Sequence, residues 1–127
     1  MTHYSRIYKI VIDVPPGGHD RELDFWRAAS GLPLAQGTRY PEYHGSELHG
    51  QDFVLLVQRL GRGPARVHVD IHTDDLEAEV ARLERLGAQR VERTGYWWVM
   101  RDPAGLPFCV LPDPPGTLTD ENAQRWD

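Results

Sequence analysis

The sequence predicts an α+β fold in which one βαβββ unit occurs twice. Residues 9–14 (KIVIDV) and 66–71 (RVHVDI), which begin 57 positions apart, match in charge, apolar spacing and aspartate position. A helical pattern follows each segment and ends at a glycine, Gly31 in the first half and Gly87 in the second. These two glycines lie 56 positions apart. Two landmarks at nearly the same offset indicate an internal repeat.

The first unit is predicted to cover about residues 7–60. Alternating apolar residues in 9–14 are typical of a strand with one packed face. Residues 21–30 follow at helical spacing, with Asp20 as the expected N-cap and Gly31 as the stop. Three short strands are then predicted, at residues 34–37, 43–48 and 53–58.

The second unit is predicted to cover about residues 64–112. Strand 66–71 leads to a helix that Thr73 or Asp74 caps and that ends at Gly87. Three further strands are expected at residues 88–93, 96–101 and 106–111. Proline lacks a backbone donor, so the prolines at 112, 114 and 115 end the sheet, and residues 113–127 form a tail that either wraps or hangs free.

Composition restricts the class of protein. The chain has 127 residues, of which 40% are hydrophobic and 26% charged, values typical of one compact domain. No apolar run approaches the ~20 residues of a membrane-spanning helix, so we expect no membrane association and a cytoplasmic location. A single cysteine excludes internal disulfides and a cysteine-based zinc cluster. The net charge of -5 argues against nucleic acid as a partner.

Several motifs together resemble the vicinal oxygen chelate superfamily. They are the duplicated βαβββ plan, Phe25-Trp26 in the helix before Gly31, RVHVDI before Asp74-Asp75, Leu86-Gly87-Ala88, and Asp102-Pro103-Ala104-Gly105 before the last strand. Within the superfamily, residues 7–112 most resemble small glyoxalase-like and bleomycin-resistance-like proteins. The resemblance implies a curled mixed sheet that forms a half-barrel cup, with helices outside, a ligand site inside and a homodimeric assembly.

The resemblance also implies four metal-ligand positions, which fall at Val11, Gln58, His68 and Cys109. Valine cannot bind a metal, and Cys109 stands where family members commonly have glutamate. We therefore expect no metal or other cofactor. The alternative is one divalent ion of zinc, iron or nickel, held by His68, Gln58 and Cys109.

Polar residues alternate along strand 66–71, so His68 shares a face with Arg66 and Asp70, and this face is expected to line the cup. His68 is interpreted as a ligand contact or, equally, as a hydrogen-bonded structural residue. Asp13 holds the position equivalent to Asp70 in the repeat. Arginine pairing is favoured for both carboxylates over catalysis, because a buried carboxylate needs donors.

Other candidate residues are ambiguous. One of Trp97 and Trp98 must face the cup, since neighbours in a strand point to opposite faces, and Trp98 is the candidate for ligand contact, with ordinary packing as the alternative. Cys109 resembles a small buried hydrophobe more than a reactive thiol. His44 and His49, in the stretch 38–50, are interpreted as solvated, although that stretch could form a lid. The run 77–85 is interpreted as a solvated helix face.

The predicted ligand-binding residues are Gln58, His68, Asp70, Trp98 and Cys109. Three functions stay open. The first is a small-molecule-binding protein of the bleomycin-resistance type with a degraded metal site, which Val11 favours. The second is a metal-dependent lyase, isomerase or dioxygenase, which requires at least three good ligands. The third is a non-catalytic interaction domain. Catalytic residues, and whether the protein is an enzyme at all, are left undecided by the sequence.

Overall fold

A computed structural model describes residues 2–127, which fold into two α-helices and nine β-strands. The described chain divides into two compact units. We call residues 9–68 the first unit, and residues 2–8 together with 69–127 the second unit. The predicted α+β class with mixed strand pairing is confirmed.

The elements follow one another in this order: β1 (His3–Val14), a 3-10 turn (Pro16–Gly18), α1 (His19–Ser30), β2 (Ala35–Gln36), β3 (Tyr43–Glu47), β4 (Val54–Arg59), β5 (Arg66–Thr73), α2 (Leu76–Arg85), β6 (Gln89–Thr94), β7 (Trp97–Arg101), β8 (Pro107–Pro112) and β9 (Gln124–Trp126). All predicted strands are present, and β1 begins six residues earlier than predicted. Among residues 2–127, no helix has the length and apolar character needed to cross a bilayer.

The residues that precede the two helices differ from the predicted N-caps. Gly18, not Asp20, precedes α1, and its lack of a side chain leaves α1 without a side-chain cap. Asp75 caps α2 by accepting a 3.1 Å hydrogen bond from the backbone N–H of Ala78. Thr73, one of the two predicted caps, instead donates its hydroxyl to the carbonyl of Tyr4. Gly31 ends α1 as predicted, with a φ of 74° in the left-handed region.

The first unit packs α1 on one face of strands ordered β2-β3-β4-β1. Strands β1 and β4 are parallel, and β3 is antiparallel to β4. Ile12, Val14 and Val57 point to α1 and form a core with leucines 23, 32 and 34. Because strand residues alternate between faces, Asp13 and Gln58 point away from the helix.

The second unit repeats this plan with strands ordered β5-β8-β7-β6. Val80 and Leu83 of α2 pack on Met100, Phe108 and Val110. Strands β5 and β8 are parallel, as β1 and β4 are in the first unit. Asp13 pairs with Gln58 in one unit and Asp70 pairs with Cys109 in the other, so the two aspartates hold equivalent places in the strand register, as the predicted repeat requires.

The chain ends are held by a buried polar cluster in the second unit. Its residues are His3, Ser5, Glu79, Arg82 and Trp126. The prediction of a solvated face on α2 is wrong at Glu79, whose side chain is fully buried. Its carboxylate accepts hydrogen bonds from Nε and Nη2 of Arg82, both at 2.8 Å, and lies 2.8 Å from Nε2 of His3. Trp126 donates its indole N–H to the Ser5 hydroxyl, and the Arg82 guanidinium lies 3.8 Å above its ring. Of the two alternatives for the tail, the packed one is therefore observed.

Candidate functional site

A row of three polar side chains crosses the first unit on the face away from α1. Asp13 of β1 pairs with Gln58 of β4, which in turn pairs with Tyr43 of β3. Directly paired residues project from the same face of a sheet, so the three side chains lie side by side. Nε2 of Gln58 lies 3.4 Å from the Tyr43 hydroxyl oxygen, which it reaches as a weak hydrogen-bond donor.

Asp13 is the centre of this site. It is 1% exposed, and its Oδ2 accepts hydrogen bonds from Nδ1 of His68 at 2.7 Å and from Nε of Arg66 at 3.1 Å. The predicted pairing of Asp13 with an arginine is confirmed. Since an ionised carboxylate only accepts, Nδ1 of His68 is the donor in this hydrogen bond. This hydrogen bond fixes the orientation of the imidazole ring.

The second oxygen of Asp13 differs from the first. Within residues 2–127, Oδ1 is buried and has no hydrogen-bond partner. A buried acceptor without a donor costs about 1–3 kcal/mol, because its interaction with water is lost and not replaced. A bound molecule that supplied a donor to Oδ1 would remove this cost.

An apolar row borders the polar one on the same face. Val11, which is 1% exposed, pairs with Leu56, and Leu56 pairs with Gly45. The two rows are separated by two residues along each strand, roughly 7 Å. A Cβ at Gly45 would lie 2.9 Å from Cδ1 of Leu56, so a larger residue would displace that leucine side chain. The face thus offers polar and apolar contacts next to each other.

The face of the first unit that carries Asp13 and Gln58 does not suit a divalent cation. Val11, one implied ligand position, offers no donor atom and is buried. Asp13 could replace it, but its Oδ2 is already paired with the Arg66 guanidinium, whose positive charge opposes a cation beside it. Gln58 contributes only a neutral amide. We therefore derive no metal chemistry here, and the set of His68, Gln58 and Cys109 stays a prediction.

The second unit carries its own acid and thiol. Asp70 is 5% exposed and pairs in register with Cys109, which is partly buried. A carboxylate oxygen of Asp70 and Sγ of Cys109 lie within 4.8 Å of each other. The ligand-binding roles predicted for both residues stay predictions, and their adjacency is an observation on which such a role can be tested.

The two tryptophans of β7 lie on opposite faces. Trp98 pairs with Val110 and packs on the α2 core, with its indole N–H buried and without a partner among the described residues. Val99 pairs with Cys109, and Trp97 is two residues from it, so Trp97 shares the face of Cys109. The structure thus places Trp98, the candidate for ligand contact, on the helix side.

His44 is a further residue of chemical interest, and its predicted solvated state is wrong. It lies in β3 on the α1 side, with its ring centre 5.2 Å from that of His19. Burial, followed by the charges of His19, Arg27 and Arg59, lowers the pKa of His44 below its ordinary value. The apolar residues of the stretch 38–50 do not alternate, so the sequence could not assign the histidine to a strand face.

A helix packed on a mixed sheet whose first and last strands are parallel, present twice in one chain, defines a two-module protein of the vicinal oxygen chelate type. The chain belongs to the glyoxalase-like family, because the family model of the glyoxalase-like domain matches residues 9–111. No curated protein matches the sequence.

Solved structures share this fold at low identity. A single-substitution variant of methylmalonyl-CoA epimerase from Streptomyces coelicolor, in complex with 2-nitronate-propionyl-CoA, is 16% identical, with a TM-score of 0.59 over 91% of this chain and 99% of the other. Methylmalonyl-CoA epimerase from Mycobacterium tuberculosis is 15% identical, with a TM-score of 0.58, and the match covers 85% of this chain and 88% of the epimerase chain. 2,2',3-Trihydroxybiphenyl 1,2-dioxygenase from Sphingomonas wittichii strain RW1 is 12% identical, with a TM-score of 0.56. The match covers 87% of this chain and 41% of the dioxygenase chain. These likenesses establish a shared fold and not a shared reaction.

Proposed function

We propose that this protein binds a small organic molecule on the face of the first unit that carries Tyr43, Gln58 and Asp13, with Asp13 as the anchor. The observation that supports this proposal is the buried Oδ1 of Asp13, which lacks a donor although Oδ2 has two. The matching ligand presents a hydroxyl, amide or ammonium hydrogen to Oδ1 and an apolar part toward Leu56. Binding would remove the cost of the unpaired oxygen.

His68 has a second role in this proposal. Its hydrogen bond to Asp13 orients the imidazole and fixes the proton on Nδ1. An imidazole held in this way can contact the ligand. The Arg66 guanidinium already balances the negative charge of Asp13, which supports metal-free binding, of the resistance-protein type, over metal catalysis.

A second candidate function is a metal-dependent lyase, isomerase or dioxygenase. The specific observation in its favour is the pairing of Asp70 with Cys109 in the second unit, where two ligand atoms lie within 4.8 Å. We place the protein in the cytoplasm as a homodimer, on the grounds of its composition and of the family resemblance. Native mass spectrometry of freshly isolated protein reads the subunit number, any retained metal and any retained molecule in one spectrum.

The proposal is tested by NMR titration of the ¹⁵N-labelled protein with a panel of soluble fragments that pair an alcohol or amine with a small hydrocarbon group. We expect saturable shifts that cluster at the amides of Tyr43, Gln58 and Asp13 and that are lost in Asp13→Asn. The matched control is Asp24→Asn, because Asp24 is exposed on α1. Shifts located elsewhere, shifts that persist in Asp13→Asn, or a panel without a single hit would contradict the proposal.

A further inference from the structure

Two histidines face each other on the α1 side of the first unit, away from the row that contains Asp13. His19 is the first residue of α1, and its side chain is 8% exposed. His44 of β3 pairs with Val57, which belongs to the core beneath α1. The two ring centres are 5.2 Å apart and the ring planes are tilted by 47°.

Each of the two rings has a nitrogen that the protein leaves unused. Across residues 2–127, Nε2 of His19 and Nδ1 of His44 are buried and have no hydrogen-bond partner. The other nitrogen of His19, Nδ1, lies 3.5 Å from Oδ1 of Asp20. Histidines that bind metals usually direct their second ring nitrogen to a carboxylate, which fixes the tautomer and leaves the lone pair on the metal-facing atom.

The spacing of the rings matches a shared ion. With metal–nitrogen bonds of roughly 2.0–2.1 Å, the centre of each imidazole lies about 3.2 Å from the ion, and a tetrahedral angle then separates the two ring centres by about 5.2 Å. The observed separation is 5.2 Å. We propose that His19 and His44 form a two-histidine site for a divalent transition metal ion of the zinc or nickel type, independent of the ligand site at Asp13.

Charge sets the expected strength and selectivity of this site. Burial and neighbouring positive charge lower the pKa of His44, and a lower pKa favours the neutral imidazole that binds a metal ion. The same Arg27 and Arg59 charges oppose a cation, while Asp20 favours one. With two protein ligands and the remaining positions open to water, we expect micromolar affinity. Imidazole favours zinc and nickel over magnesium.

The test uses the untagged 127-residue chain after treatment with EDTA and dialysis. Equilibrium dialysis against ZnCl₂ or NiCl₂ is expected to give one bound equivalent with a micromolar Kd, and MgCl₂ no saturable binding. His19→Ala and His44→Ala should each raise the Kd at least tenfold. His49→Ala is the matched control, because His49 is an exposed histidine in a loop, and it should leave the Kd unchanged.

The proposed site would be contradicted if zinc and nickel showed no saturable binding up to millimolar concentration. It would also be contradicted if binding survived in His19→Ala and His44→Ala but was lost in His68→Ala. Ring ¹⁵N NMR of the wild-type protein gives a reading that does not depend on variant folding, because ligation must shift Nε2 of His19 and Nδ1 of His44. Circular dichroism of His19→Gln and His44→Gln checks the fold of milder variants. Fragment binding at Asp13 is measured separately, so failure of one proposal leaves the other testable.

Discussion

Nδ1 of His68 donates a 2.7 Å hydrogen bond to Oδ2 of Asp13, across 55 positions of the sequence. The same oxygen also accepts a hydrogen bond from Nε of Arg66. Oδ2 therefore has two donors, while Oδ1 has none among the described residues. The paired oxygen contributes to the stability of the first unit, and the unpaired oxygen is the atom that the proposed ligand would contact.

Replacing Asp13 with asparagine should lower the free energy of unfolding by about 1–3 kcal/mol, the range for loss of a charged acceptor from buried hydrogen bonds. Arg66 is half exposed and can turn to water, which limits the loss. Urea denaturation at pH 7 measures it, with exposed Asp24→Asn expected to stay within about 0.5 kcal/mol of wild type. An Asp13→Asn protein as stable as wild type would show that the two hydrogen bonds contribute nothing to stability.

The repeat was predictable because it depends on local patterns. Residues 9–14 and 66–71 alternate with period two, and Gly31 and Gly87 mark helix ends at a matching offset, so the βαβββ order follows without any long-range information. The start of β1 was not predictable. Residues 3–8 carry few apolar side chains, and what holds His3 to Ser5 extended is pairing with residues 124–126 at the other end of the chain.

The site was predictable only in part. Alternation along residues 66–71 placed His68 on the same strand face as Arg66, the arginine that pairs with Asp13, whereas Gln58 was proposed only from the family resemblance. The burial of Glu79 could not be predicted, because a glutamate three residues before an arginine is typical of an exposed helix pair. Its burial depends on His3 and Trp126, which are distant in sequence. The contact between His44 and His19 was likewise hidden, because it depends on how α1 packs on β3.

Trp126→Ala should loosen the C-terminal strand. The substitution removes the indole hydrogen bond to Ser5 and the stacking of Arg82 on the ring, which together contribute about 1–3 kcal/mol. We expect faster amide exchange at residues 3–5, which pair with 124–126, and earlier cleavage in the tail by a nonspecific protease. Arg125→Ala, a change at the exposed neighbour, is the control. Unchanged exchange at residues 3–5 would mean that Trp126 does not hold this pairing.

Protein purified without a metal column and dialysed against EDTA should retain less than one equivalent of zinc, iron or nickel. Val11 provides no ligand atom, and Arg66 already neutralises Asp13. A micromolar ion at His19 and His44 would be removed by the same dialysis. Elemental analysis measures the residual metal, and a stoichiometric ion that survives dialysis would establish a tight metal centre and favour the metal-dependent candidate function.

Glu79 should make stability depend on acid pH. Burial alone would raise its pKa, but hydrogen bonds with Arg82, His3 and Ser5 outweigh burial and hold the pKa below the ordinary value of 4.5. The folded state thus favours the ionised carboxylate. The stability that ionised Glu79 contributes is fully present above its pKa in the unfolded chain, and it is lost as the pH falls through its lower pKa in the folded protein. Glu79→Gln should lose about 3 kcal/mol at pH 7, and its difference from wild type should shrink below about pH 4.5. Urea denaturation from pH 3 to 7 measures this difference. Glu77 is exposed on the same helix, so Glu77→Gln should show no pH-dependent loss of stability. A loss of stability in Glu79→Gln that does not change with pH would contradict the ionised cluster.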